Sequence, residues 1–141
     1  MEFYVTQSVM SEEIDERPLY EQMGGEQAIK NLVHAFYLHM DTLPEAREIR
    51  QMHPDSLKGS EEKLFEFLSG WTGGPQLFIE KHGHPRLRAR HLPFKIDESA
   101  RDQWLLCFFK ALDDCKIEGS IKKILVSSIG RLADHMRNVN N

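Results

Sequence analysis

Cysteine, positive charge and long apolar runs are all scarce in this chain, and each shortage rules something out. Of its 141 residues only two are cysteines, Cys107 and Cys115. Both fall in one predicted helix, about 12 Å apart along its axis at 1.5 Å of rise per residue. That separation is too great for a disulfide, so they read as reduced core thiols. Acidic residues outnumber Lys and Arg by 22 to 18, a formal net charge of −4. A chain of that sign has no general affinity for nucleic acid. No run of about 18 apolar residues is present to span a membrane, and the N-terminus has no signal-peptide core. A cytoplasmic protein with neither a membrane nor a nucleic-acid partner is expected. No segment alternates apolar and polar residues over the length of a strand, so a sheet is not expected either.

The chain is 40% hydrophobic and 28% charged, enough apolar material for one globular core. Residues 1–18 are acidic and without period, and read as an N-terminal extension to a domain at 19–141. From there the periodicity is helical. Ile29, Leu32, Val33, Phe36, Tyr37 and Met40 follow the spacing of one buried helix face. Pro44 opens a short helix, Glu45 to about Met52. Leu57, Ser60, Leu64, Phe67, Leu68 and Trp71 form a second stripe, stopped by Gly73-Gly74-Pro75; Ser60 before Glu61-Glu62 has the signature of an N-cap. Asp97 is a further N-cap candidate, for a helix carrying Trp104, Leu105, Phe108, Ala111, Leu112 and Cys115. The last stripe is Ile121, Ile124, Leu125, Ser128, Ile129, Leu132 and Met136. Gly24-Gly25 and Gly73-Gly74 fit tight changes of direction. The fold class is all-α. Residues from Gly73 to Ile96 form a long connection of little regularity, a length that within a compact domain usually serves function.

One histidine in that connection stands out. In Gly83-His84-Pro85-Arg86-Leu87-Arg88-Ala89-Arg90-His91-Leu92-Pro93-Phe94, Pro85 suits the first turn of a helix. Pro93 disfavours helical geometry at Leu92 and so stops that helix at about His91. Leu87 lies four residues before His91 on the same face, with Arg86, Arg88 and Arg90 around it. An apolar face, one neutral nitrogen ligand and several cations suit a flat cofactor carrying a metal and carboxylates, which is the description of haem. The plainer reading is a histidine that closes a short helix by bonding its own last carbonyls. His82 and His84 form a His-x-His pair that reads as a solvated loop.

Several pieces together resemble a known family. They are Leu19-Tyr20-Glu21-Gln22-Met23-Gly24-Gly25, Phe36-Tyr37, Leu57-Lys58-Gly59-Ser60-Glu61-Glu62-Lys63-Leu64, Trp71-Thr72-Gly73-Gly74-Pro75, the run from Gly83 to Phe94, and Arg101-Asp102-Gln103-Trp104. In this order and spacing, from Leu19 to Met136, the chain resembles a group II truncated haemoglobin, a 2-on-2 globin. The resemblance implies two antiparallel helix pairs, Glu26–Asp41 with Leu57–Trp71 and 97–115 with 119–137, sandwiching haem b (iron protoporphyrin IX).

It also implies roles. His91 would be the proximal iron ligand, its other ring nitrogen oriented by a local carbonyl. Tyr37 would donate a hydrogen bond to the bound ligand, with Trp104 as a second donor and His53 as a third. Ser60 would leave an opening where many globins carry a larger distal residue, with Leu64 covering the face one turn on. Haem-wall candidates are Phe36, Phe67, Leu68 and Leu77, then Phe78, Leu87, Phe94 and Ile96, and finally Phe108, Val126 and Ile129. Arg90 is the first choice as propionate partner. The function implied is reversible binding of O2, CO or NO with high affinity and slow release. The alternative is a redox enzyme of nitric oxide dioxygenase or peroxidase type, which would need an external reductase. A third reading, a helical module whose basic stub docks an acidic partner, would show no Soret band.

Overall fold

A computed structural model describes residues 15–139, and among them the chain is all helix. The helices are α1 (Leu19–Met23), α2 (Glu26–Thr42), α3 (Arg47–Gln51), α4 (Lys58–Trp71), α5 (Leu77–His82), α6 (Leu87–His91), α7 (Glu98–Asp114) and α8 (Gly119–His135), with a 3-10 turn at Pro44–Ala46 leading into α3. Of the expected extension, residues 1–14 lie outside the described residues.

The long helices begin and end within two residues of their expected bounds, because each buries a periodic face. Ile29, Leu32, Val33, Phe36 and Met40 of α2 are at most 1% exposed. Burying such a side chain stabilises the fold by about 1.5–3 kcal/mol. α2 packs on α4, α7 packs on α8, and α2 also lies along α7, which joins the two pairs into one core. Ion pairs mark the same contacts, His39 with Asp114 between α2 and α7 and Arg101 with Asp134 between α7 and α8. Asp97 caps α7 as read, its carboxylate accepting from the Ala100 N–H at 2.9 Å.

Three local expectations fail. Ser60 is not a cap: α4 starts two residues earlier, and the Ser56 hydroxyl accepts from the Lys58 N–H instead. Pro85 is not the first helical residue, because α6 starts at Leu87 behind Arg86, whose φ of 45° breaks the helical path. The 73–96 connection is more regular than expected, since it holds α5 as well as α6. A helix of six residues offers too few periodic positions to be read from sequence.

Gly73-Gly74 does more than turn the chain. A Cβ on Gly73 would come within 2.9 Å of Pro18, and one on Gly74 within 2.4 Å of the Tyr20 ring. The Tyr20 N–H also donates to the Thr72 carbonyl at 2.9 Å. The bare backbone there is the seat on which α1 rests.

Candidate functional site

A cavity of about 600 Å³ opens among α2, α4, α6, α7 and α8. That volume is in the range of small-molecule and cofactor sites. Of the residues singled out from sequence, Tyr37, His53, Ser60, Leu64, Phe67, Leu68, Phe78, Leu87, Arg90, His91, Phe94, Ile96, Trp104 and Ile129 all line it. Phe36 and Phe108 do not. Both are fully buried behind the wall: Trp104 stacks on Phe108 with centroids 5.5 Å apart, and Phe36 lies 4.9 Å from both Tyr37 and Trp104. Leu77 and Val126 are likewise absent from the wall.

Sequence reading missed Ile49, Met52, Pro54, Lys63, Ala100, Arg101, Leu132, Ala133 and Met136 as lining residues. For some the signal existed. Lys63 follows Ser60 by three residues and precedes Phe67 by four, so one helix face carries all three. Leu132 and Met136 continue the Ile129 stripe. Ile49, Met52 and Pro54 come from a bend whose direction no local pattern encodes.

His91 closes α6 and is half-buried. Its Nδ1 sits 2.6 Å from the Leu87 carbonyl oxygen, an acceptor only, so Nδ1 carries the proton and Nε2 keeps its lone pair. The local carbonyl expected to orient the ring is therefore Leu87, and both readings of this histidine meet in one geometry.

Tyr37 is 7% exposed, and its hydroxyl has no hydrogen-bond partner among the described residues. Burial, reinforced by the charge of Glu61, holds its pKa above the ordinary phenol value. It stays protonated and can donate. Trp104, half-buried, likewise has an indole N–H without a partner among the described residues. A free N–H or O–H on a cavity wall is available to a guest.

His53 differs from expectation. Its ring meets Tyr37 edge to face at 5.9 Å, and its Nδ1 donates to the Ile49 carbonyl at 2.8 Å. Burial lowers its pKa, outweighing the Ile49 hydrogen bond, and nearby Arg50 and His91 add to the lowering. The neutral ring thus offers a lone pair at Nε2, an acceptor where a third donor was expected.

The cations also sort themselves. Arg90 borders the cavity, donating from Nε to the Pro85 carbonyl while its guanidinium lies 5.2 Å from the Phe78 ring centroid. Arg88 is turned away toward the end of α8, and Arg86 does not reach the wall. Lys63 is exposed at the rim with no carboxylate partner among the described residues. The histidine pair is exposed, as expected, but its two rings have different partners. His82 Nε2 is 2.9 Å from the buried carboxylate of Glu66, whereas the His84 ring accepts from the Arg86 N–H. No group of three or more His, Cys, Asp or Glu side chains that could hold a metal is found among the described residues. An imidazole nitrogen with a free lone pair, in a mostly apolar slot with cations at its rim, fits a planar group that brings its own metal and its own carboxylates.

Comparison with known proteins agrees. The family model of bacterial-like globins matches residues 18–138. A group 2 truncated hemoglobin of Bacillus subtilis is 40% identical over 119 residues, 84% of this chain and 87% of that protein. A group II 2-on-2 hemoglobin from Agrobacterium tumefaciens superposes with a TM-score of 0.86 at 43% identity, covering 92% of this chain and 99% of that one. A truncated oxygen-avid haemoglobin from Bacillus subtilis superposes with a TM-score of 0.79 at 38% identity, covering 86% and 100%. Among the described residues no helix is long and apolar enough to cross a membrane. The helices, the cavity and these likenesses lead to one statement: the chain belongs to the bacterial-like globin family, as a truncated 2-on-2 haemoglobin with haem b as its cofactor and small diatomic ligands such as O2 as what it binds.

Proposed function

We propose that the cavity seats haem b with His91 Nε2 as the proximal iron ligand, and that the protein binds O2 with high affinity and slow release. When bound, haem supplies a ferrous iron that takes a diatomic ligand reversibly. The observation carrying this reading is the state of three side chains that line the cavity. His91 is oriented with its Nε2 lone pair unused, while Tyr37 and Trp104 carry donors that nothing among the described residues satisfies. A ligand with partial negative charge accepts from such donors, which opposes its escape.

His53 completes this wall as an acceptor. Arg90 and Lys63 stand where the cofactor's carboxylates would emerge. Exposed pairs of that kind contribute under about 1 kcal/mol each, so retention falls to His91 and to apolar contact from Leu64, Phe67, Phe94 and Ile96. The domain runs from residue 19 to 141, with 1–18 as an extension. Its free cysteines accord with the cytoplasm. Consumption of nitric oxide or peroxide would draw electrons from an external reductase, and multiple turnovers on mixing the oxygenated protein with nitric oxide and a reductant would favour it over simple binding.

Three variants test the proposal. His91→Gly should lose the Soret pigment and recover it when imidazole is added; a variant that keeps its colour and axial spectrum refutes the assignment. Tyr37→Phe should release O2 roughly threefold to tenfold faster, the worth of one net hydrogen bond. His53→Phe should change release less than Tyr37→Phe does, because the His53 N–H is already engaged by the Ile49 carbonyl.

A further inference from the structure

α6 is five residues long, too short to be stable alone, and no other described helix packs closely along it. Yet it bears the histidine on which the cofactor depends. What holds it is the stretch just after α8. The side-chain amide of Asn138 donates from Nδ2 to the His91 carbonyl at 3.2 Å and to the Phe94 carbonyl at 2.8 Å, and its Oδ1 accepts from the Ile96 N–H at 3.0 Å. The Asn138 backbone N–H donates to the Ile96 carbonyl at 2.9 Å. In return Arg88 of α6 donates from Nη1 to the His135 and Arg137 carbonyls.

The segment after α8 thus binds the carbonyl that ends α6, which also accepts from the Phe94 N–H, and α6 in turn binds carbonyls at the end of α8. The amide of Asn138 can face only one way, because two carbonyls need its NH2 and one N–H needs its oxygen. All of its hydrogen-bonding edges converge on the turn that leaves His91. With the ring fixed by Leu87 and the backbone by Asn138, His91 is held at both ends.

We propose that Asn138 is a positioning residue for His91. Through the His91 carbonyl it sets the pitch of α6, and so the direction in which the imidazole Nε2 addresses the cofactor. The inference rests on the axial assignment of His91 made above. Arg88 is the second half of the same mount, which makes the end of α8 the base on which the proximal helix stands.

Asn138→Asp is the sharpest test. It keeps an oxygen for the Ile96 N–H but puts a second oxygen against two carbonyls. In the haem-loaded full chain, haem transfer to excess apomyoglobin should be roughly tenfold faster, the usual cost of losing a partner one step removed from a metal ligand. The iron–histidine stretching band of the ferrous form should shift and broaden. Ile29→Val, in the buried face of α2 far from α6, serves as a control of similar stability cost and should leave that band in place. If Asn138→Asp does not fold, Arg88→Met removes the mount from the other side with the same readouts. The proposal is overturned if haem transfer and band are unchanged in the variants, or if Ile29→Val moves them equally. His91→Gly separates the two levels: pigment retained there defeats the axial assignment itself, whereas pigment lost there with an unaltered Asn138→Asp defeats only the mount.

Discussion

The cavity has two walls built on different principles. Around Tyr37 and Trp104 it belongs to long helices. Phe36 and Phe108 are buried behind those side chains, and four aromatic rings touch in one block. Around His91 and Phe78 it belongs to short helices: α5, which packs along α4 with Phe78 against Phe67, and α6, which is held by polar side chains arriving from elsewhere. Glu66 of α4 takes Lys81 and His82 of α5, while Asn138 and Arg88 bind α6 to the end of α8. One wall is positioned by packing, which is insensitive to pH and costly to cut. On the other, α6 is positioned by a few directed bonds, each of which is separately removable. An element on such a mount can be perturbed without unfolding the core.

Four measurements probe that contrast. Phe108→Ala should be the most damaging, at about 3–5 kcal/mol for an aromatic truncated in a packed core. Urea unfolding of the whole domain should report it, and Trp104 fluorescence should change because the stacked partner is gone. A local loss confined to one helix would refute the packed-block description. Asp97→Ala removes the cap of α7 and should cost about 1 kcal/mol, again read as a cooperative shift.

Glu66→Gln should act differently, speeding amide hydrogen exchange across α5 while α2 and α7 stay protected. Its pH dependence has a definite sign. Burial pushes the Glu66 carboxyl up, but hydrogen bonds from Lys81 and His82 outweigh this and hold it below the usual glutamate range. A carboxyl lowered in the folded state contributes stability above its unfolded pKa and loses it as pH falls through the folded one. Protection of α5 should therefore decline on acidification below the ordinary glutamate range, and Glu66→Gln should abolish that decline. The smallest effect concerns the thiols. Burial pushes Cys107 up to about 11, so at pH 8 its thiolate is roughly one part in a thousand. Iodoacetamide should modify the half-exposed Cys115 first and reach Cys107 only on unfolding.

The same contrast explains what could be read in advance. The stripe from Ile29 to Met40 repeats at helical spacing because it is buried along its whole length, so the helix and its inward face were both legible. Whether a particular member of the stripe meets the cavity or the core behind it was not. Tyr37 and its neighbour Phe36 are both buried, and only the second wall of helices separates their tasks. His53 was found as a wall residue, but the engagement of its Nδ1–H by the Ile49 carbonyl was not. That bond comes from the curl of one short helix and leaves no mark in the residue pattern.

From sequence alone follow the all-helical class, the long helices, the stop that Pro93 imposes after His91, and the placing of one imidazole beside apolar and aromatic residues. Those are local matters of dihedral preference and periodic burial. Tertiary structure alone decided the existence of α5, the buried pairing of Glu66, and the mount of α6 on Asn138. That last bond joins residues 47 positions apart, and a hydrogen bond across such a span requires the intervening helices to be folded before its two ends can meet.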